Sequence, residues 1–459
     1  MTITASRILS VAILVSLLLQ PATSLGRPLN PFICMYGHSD DAGVTAAFRK
    51  LIPRFTVIEG TSTDAEFIKQ LRAVGCIYAA HVTNPENATD EKLVALWRNP
   101  FGNNLSGRLP GGYDAIAIDE LRANPDGSVQ SQRICRALVK LRKLYPRKQI
   151  YAAATWHLGY EVEKYSEQLL AVHKHVDMLM LEVYLRETRP AYGYIANWAD
   201  QLKAVEPGLL RKTVYGLGVA QRGYLYDDST KVGFFGHLDQ QFRSIRTDAD
   251  ASKMPGVMFW VYYRSEIDVT PDYLAKLVEH YYIHKKTDYF GDGKTEQLVT
   301  NAQFETLTGW MRAAGDGGSV ERFRYESIPG LKNYHDDHGW SSHGEHGLKM
   351  VRGPRPNRAS FAVSGLDTRM VYIVSAWVMA DRPGRRAAMR ITETDGRVIA
   401  EKKIAHAGRG TQWNEWSRIT FNFTPTKPTV HIELHDEKAS AGAVLYWDFV
   451  ELEAAWPAE

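Results

Sequence analysis

Hydrophobic positions along this chain follow two different periods, and the change between them falls near residue 283. From 31 to 282, short runs rich in branched and aromatic residues alternate with longer amphipathic stretches. The short runs predict strands over 32–38, 55–59, 76–81, 114–119, 149–156, 177–184, 213–220 and 257–262. Apolar residues at helical spacing predict helices over 63–74, 89–98, 128–144, 162–173, 192–204, 237–246 and 271–281. Thr63-Asp64, Thr89-Asp90 and the Thr270-Pro271 pair supply helix starts, because a side-chain oxygen there satisfies an unpaired N–H of the first turn. Eight strands, each followed by a helix or a helix-like connection, predict an α/β fold, a (β/α)8 barrel over 30–283, with a doubly wound open sheet as the alternative.

Parity within the strands says which residues face the barrel interior. In 114–120 the branched Ile116 and Ile118 belong against helices, which turns Ala115, Ala117 and Asp119 inward. In 177–184, Leu179, Leu181 and Val183 face outward, which turns Met178, Met180, Glu182 and Tyr184 inward. The seventh strand turns Gly216, Gly218 and Ala220 inward and is expected to leave space. The eighth turns Met258, Trp260 and Tyr262 inward, so the pocket is expected to be asymmetric.

The segment 284–296 (HKKTDYFGDGKTE) is charged and contains glycine, as a linker does. Beyond it helical periodicity nearly vanishes. Alternating strands are expected over 370–380, 388–393, 398–404, 415–424, 429–435 and 443–452, and the span 297–459 reads as an all-β sandwich or jelly roll.

Composition narrows the function. A length of 459 residues suits two domains, and a net charge of +3 from 55 basic and 52 acidic residues gives no long-range field that would recruit nucleic acid or an anionic membrane. Residues 1–24 read as a signal peptide: Arg7 precedes an apolar core over 8–19 and a small-x-small site at Ala22-Thr23-Ser24, so a secreted or periplasmic protein is expected. Cys34, Cys76 and Cys135 are too few for a disulfide framework, and buried free thiols are expected. The 11 Trp and 23 Tyr offer flat apolar faces with a polar edge, suited both to cores and to sugar stacking.

The chemistry-bearing side chains collect at strand C-terminal ends, where barrel enzymes place their sites. YDAIAIDE (113–120) ends in adjacent carboxylates, Asp119 and Glu120, and the sixth strand ends in Glu182. Two carboxyl groups flanking one bond are what glycosidic cleavage needs, so Asp119 or Glu120 paired with Glu182 is the candidate catalytic set. Candidate substrate-binding groups are Tyr36, His38, Glu59, His81, Trp156, His157, Tyr184, Trp260 and Tyr262. The blander roles are loop caps or ion pairs with Arg122 or Arg186 for the acids, and structural hydrogen bonds for His81 and His157. Asp177, at a strand start, is expected to be structural. A metal-dependent hydrolase would use His38, His81, His157 and the acids, but these lack compact ligand spacing.

Tyr113 to Glu120 resembles the fourth strand of TIM-barrel glycoside hydrolases, and MLEVY (180–184) and PGVMFW (255–260) resemble the sixth and eighth strands of the chitinase-like group. Against the Asp-x-x-Asp-x-Asp-x-Glu pattern of chitinases, Ala117 replaces the middle Asp and Leu121 stands in the Glu position. Acids on strands four and six are also similar to the α-galactosidase arrangement. The resemblance implies glycosidic hydrolysis with no cofactor for catalysis.

In the second domain, NAQFE (301–305) with Gly309-Trp310, YIVSAW (372–377) and LYWDFV (445–450) resemble strands of carbohydrate-binding jelly-roll modules. That resemblance implies a poly- or oligosaccharide partner and a structural calcium held by Glu305 and Asp448. Trp377 is assigned to core, Trp413 or Trp416 to a surface platform, and HDDHGWSSHGEH (335–346) to a solvated loop rather than a transition-metal site. The expectation is an exported glycoside hydrolase. The rivals are a glycan-binding protein without working acids and a metal-dependent barrel hydrolase.

Overall fold

The computed structural model describes residues 31–38, 54–122, 124–154, 162–183, 191–219, 232–260, 270–328, 344–381, 385–405, 417–437 and 440–458. Expectations that fall elsewhere lie outside the described residues. These are the signal peptide, Trp156, His157, Tyr184, Arg186, Ala220, Tyr262, Trp413, Trp416 and most of the histidine-rich tract, together with the side chain of His38.

Eight parallel strands close into a barrel in sequence order: β1 Phe32–His38, β2 Val57–Gly60, β3 Ile77–Val82, β4 Ala115–Ile118, β5 Gln149–Ala154, β6 Met178–Glu182, β7 Thr213–Gly218 and β8 Gly256–Trp260. Closure is made by β1 lying beside β8, from Phe32 opposite Gly256 to Tyr36 opposite Trp260. The α-helices among the described barrel residues are α1 Ala65–Ala73, α2 Asp90–Gly102, α3 Val129–Leu144, α4 Ser166–His175, α5 Ala191–Val205, α6 Phe234–Thr247 and α7 Thr270–Val278. Asp64 caps α1 by accepting from the N–H groups of Glu66 and Phe67, and Thr89 caps α2 through Lys92 N–H. A 3-10 turn, Val162–Tyr165, leads into α4, and a π-helical turn, Glu279–Ile283, ends α7.

Two sets of side chains fill the barrel as parity predicts. Ile116, Ile118, Leu179 and Leu181 pack with the helices, while Phe32, Cys34, Tyr36, Val57, Ala115, Ala117, Met178, Met180 and Met258 form a separate interior cluster. The space expected at Gly216 is not open. A Cβ there would lie 2.5 Å from Met258 Cε, so the glycine is what lets Met258 cross the interior. At the barrel bottom Asp177 accepts from Arg142 at 2.6 Å and from Ile150 N–H at 2.7 Å, the structural role expected of it.

The C-terminal part is a sandwich of two five-stranded antiparallel sheets, ordered β10-β11-β18-β13-β16 and β15-β14-β17-β12-β9. Its strands are β9 Trp310–Ala313, β10 Ser319–Arg324, β11 His346–Val351, β12 Arg358–Ser364, β13 Met370–Ala380, β14 Arg386–Glu393, β15 Val398–Ala405, β16 Ser417–Phe423, β17 Thr429–Glu437 and β18 Val444–Pro457. Trp377 is buried as expected, and Trp310 also lies in the core, against Phe304 and Phe361.

The connecting segment 284–296 is fastened to the barrel. Buried Asp239 of α6 accepts from the Phe290 and Gly291 N–H groups and from the Tyr281 hydroxyl. Glu453 of β18 reaches across to accept from the Phe235 and Gly236 N–H groups at the start of α6, at 2.9 and 3.1 Å. Trp456 packs on Tyr273 and Phe290, under the Lys276 ammonium. No helix among the described residues is long and apolar enough to cross a membrane.

Candidate active site

Positions at or near the C-terminal ends of six strands supply Tyr36 (β1), Glu59 (β2), His81 (β3), Asp119 just past β4, Glu182 (β6) and Trp260 (β8). Asp119 is held by its backbone first. Its N–H donates to Val82 O at 2.8 Å, continuing the β3–β4 ladder one residue beyond the strand. Its side chain, about a quarter exposed, accepts the Tyr36 hydroxyl at Oδ1 and lies with Oδ2 3.7 Å from His81 Nε2.

Glu120 goes the other way. Its φ of +43° puts it in the left-handed region, which a non-glycine residue adopts at a cost of roughly 1–2 kcal/mol. The chain then returns, with Leu121 N–H bonded to Ala153 O at 2.7 Å and the Leu121 side chain buried among the helix-facing apolar groups. The Glu120 carboxylate is left on the outer rim, largely exposed, 3.8 Å from Arg122, which also pairs with Glu86. Of the two adjacent acids, Asp119 therefore faces the mouth with Glu182, and Glu120 does not.

Glu59 has no exposed surface, and its Oε1 lies 2.7 Å from His81 Nδ1. That hydrogen bond is the main cause of the raised His81 pKa, with the charges of Glu59 and Asp119 adding to it against the effect of burial. Tyr36 is almost fully buried. Its hydroxyl pKa is pushed far up by desolvation and then by the negative charges of Glu59, Asp119 and Glu182, so it remains a neutral donor to Asp119. Glu182 and Trp260 are half-buried at the ends of β6 and β8. Their place at strand C-terminal ends identified Tyr36 and Glu59 as candidates but could not show that burial leaves Glu59 out of reach of a substrate. The coupling of His81 to two acids had no local signal in the sequence.

Among the described residues no three His, Cys, Asp or Glu side chains converge to hold a metal. In the sandwich, Glu305 binds His346 through both its N–H and Nδ1. Fully buried Asp448 accepts the Tyr325 hydroxyl at 2.5 Å and the Phe449 N–H at 2.7 Å. Burial, with the Glu305 charge behind it, pushes the Asp448 pKa far above the usual carboxylate range. Both carboxylates expected to hold a structural calcium are thus engaged by protein donors, Glu305 by His346 and Asp448 by Tyr325 and Phe449.

No family model matches the chain, and no curated protein does. Solved structures that it resembles include a glucosidase from Croceicoccus marinus, 10% identical with a TM-score of 0.37, covering 91% of this chain and 98% of that one. The sandwich resembles the TmCBM61 module in complex with beta-1,4-galactotriose, 17% identical with a TM-score of 0.27, over 34% of this chain and 98% of the module. It also resembles the CBM22-1-CBM22-2 tandem of Paenibacillus barcinonensis Xyn10C, 14% identical with a TM-score of 0.26, over 38% of this chain and 48% of that one.

Proposed function

We propose that the barrel hydrolyses a glycosidic bond of a poly- or oligosaccharide with Asp119 and Glu182 as its two carboxylates. The observation that carries this reading is their shared position. Asp119 directly follows β4 and Glu182 ends β6, so both stand at the C-terminal mouth of the barrel, and Asp119 accepts the Tyr36 hydroxyl there. Glycosidic cleavage asks for one acid to protonate the leaving oxygen and one carboxylate to act from the other side of the bond. Asp119, oriented by the Tyr36 O–H and facing the His81 ring, suits the anionic role of nucleophile or base. Glu182 is then the proton donor, and Trp260 presents an aromatic face to a sugar ring. In the same reading the chain is exported by residues 1–24, and the sandwich holds the enzyme on its glycan. Calcium has no part in the chemistry.

Purified full-length protein assayed on a polysaccharide and aryl-glycoside panel tests this. Turnover is expected to survive chelation and to fall by roughly 10²–10⁴ in both Asp119→Asn and Glu182→Gln. Binding without turnover would make the barrel a glycan-binding protein, and loss of activity on chelation would make it a metal-dependent hydrolase. With an active substrate, the anomer first released reports retention or inversion.

A further inference from the structure

Glu59 is a carboxylate with no exposed surface at the base of the mouth, and the proposed chemistry does not use it. Burying a carboxylate costs several kcal/mol unless it is paired, and a side chain so enclosed cannot touch a sugar. His81, adjoining it at 2.7 Å through Nδ1, also faces Asp119 at 3.7 Å through Nε2. One imidazole thus bridges a carboxylate that substrate cannot reach and one that it can. Glu59 keeps a proton on Nδ1 and fixes how the ring is turned, which aims Nε2 at Asp119.

We propose that Glu59 is a positioning residue that acts through His81 to hold the Asp119 carboxylate in its working orientation. The proposal rests on the reading of Asp119 as one of the catalytic pair. The charged and titratable groups around the His81 ring, among the described residues, are Tyr36 from β1, Glu59 from β2 and Asp119 after β4, with Glu182 of β6 across the mouth. Three are acids, and none of the described groups there is a competing cation.

The sign follows from the direction of the shift. The raised His81 pKa keeps the ring charged to a higher pH than an ordinary imidazole, and the charge is lost as pH rises through the folded-state value. Any stability the pair contributes is likewise complete below the unfolded pKa of about 6.5 and lost as pH rises through the folded one. Glu59→Gln keeps an acceptor beside Nδ1 but removes the charge, so the ring should deprotonate at lower pH.

The test is an NMR titration of the full-length protein carrying 13Cε1-labelled histidine, with the His81 signal among the 15 histidines assigned by its loss in His81→Asn. The midpoint is expected above about 6.5. It should fall by about one pH unit or more in Glu59→Gln, and should fall also in Asp119→Asn. An unmoved midpoint in either variant overturns the proposal. If Glu59→Gln does not fold, the Asp119→Asn titration still decides the link to the mouth. In kinetics, the loss of kcat/KM in Glu59→Gln should grow with pH, whereas an equal loss at every pH would mean a structural role alone and would overturn the proposal. Should no glycoside be hydrolysed, the catalytic reading fails, and the titrations decide the Glu59–His81–Asp119 coupling by themselves.

Discussion

The Tyr36 hydroxyl donates to Asp119 from a nearly enclosed position, while Glu120, the next residue, sits in solvent beside Arg122. A hydrogen bond from a neutral donor to a charged group contributes about 1.5–3 kcal/mol, more than an exposed ion pair. Tyr36→Phe should therefore lower kcat/KM by roughly 10–100-fold on any substrate the protein turns over, and should lower the melting temperature modestly, since the hydrogen bond is lost while the ring still packs. Glu120→Ala should change kcat/KM by less than about threefold, because an exposed charge pair contributes about 0–1 kcal/mol. A Tyr36→Phe enzyme of full activity would remove the orienting role assigned to the hydroxyl.

At the scale of the element, the end of β4 sorts the two acids by a single left-handed residue. Asp119 N–H stays on β3, Leu121 N–H moves to β5, and Glu120 between them takes the positive φ. Glu120→Gly removes a strain of roughly 1–2 kcal/mol and adds about 0.4–1 kcal/mol of unfolded-state entropy. Thermal unfolding should show the variant to be neutral or more stable by up to about 1.6 kcal/mol, although glycine usually weakens a chain. A clear fall in stability would mean that the Glu120 side chain holds the rim.

The barrel strands were legible in the sequence as short apolar runs between amphipathic stretches, and in β4 one parity is branched and the other small, Ile116 and Ile118 against Ala115 and Ala117. Parity also put Asp119 and Glu182 inside. β9 to β12 were missed because stretches such as Ser319–Arg324 bury only Val320 and Phe323, too few to alternate visibly. The helix now α2 runs beyond its expected end at 98, with Pro100 inside its last turn. Met258 filling the room beside Gly216, and Glu59 sealed beneath His81, depend on contacts across the barrel that no local pattern encodes.

At the scale of the whole molecule, barrel and sandwich are joined by a helix cap supplied from 218 residues away. α6 begins at the same end of the barrel as the mouth, because it follows β7, and its first turn needs an acceptor. Gly233 offers no side chain for that cap, and Glu453 of β18 provides it, almost fully buried. The absence of a side chain is itself required, since a Cβ on Gly233 would lie 2.2 Å from the Glu453 carboxyl carbon. With the Trp456 contacts and the pinned 284–296 segment, this fixes the sandwich to the barrel. Calorimetry of the intact chain should show one cooperative transition. Glu453→Ala leaves two buried N–H groups without an acceptor, each worth about 1–3 kcal/mol, and should lower the melting temperature accordingly. Gly233→Ala should destabilise the wild-type chain by forcing the carboxylate aside, and should cost much less when Glu453 is already alanine, because the clash and the cap share one group. Additive effects in that double-mutant cycle, or two separate transitions in the intact protein, would show instead that the sandwich hangs on the barrel as an independent module.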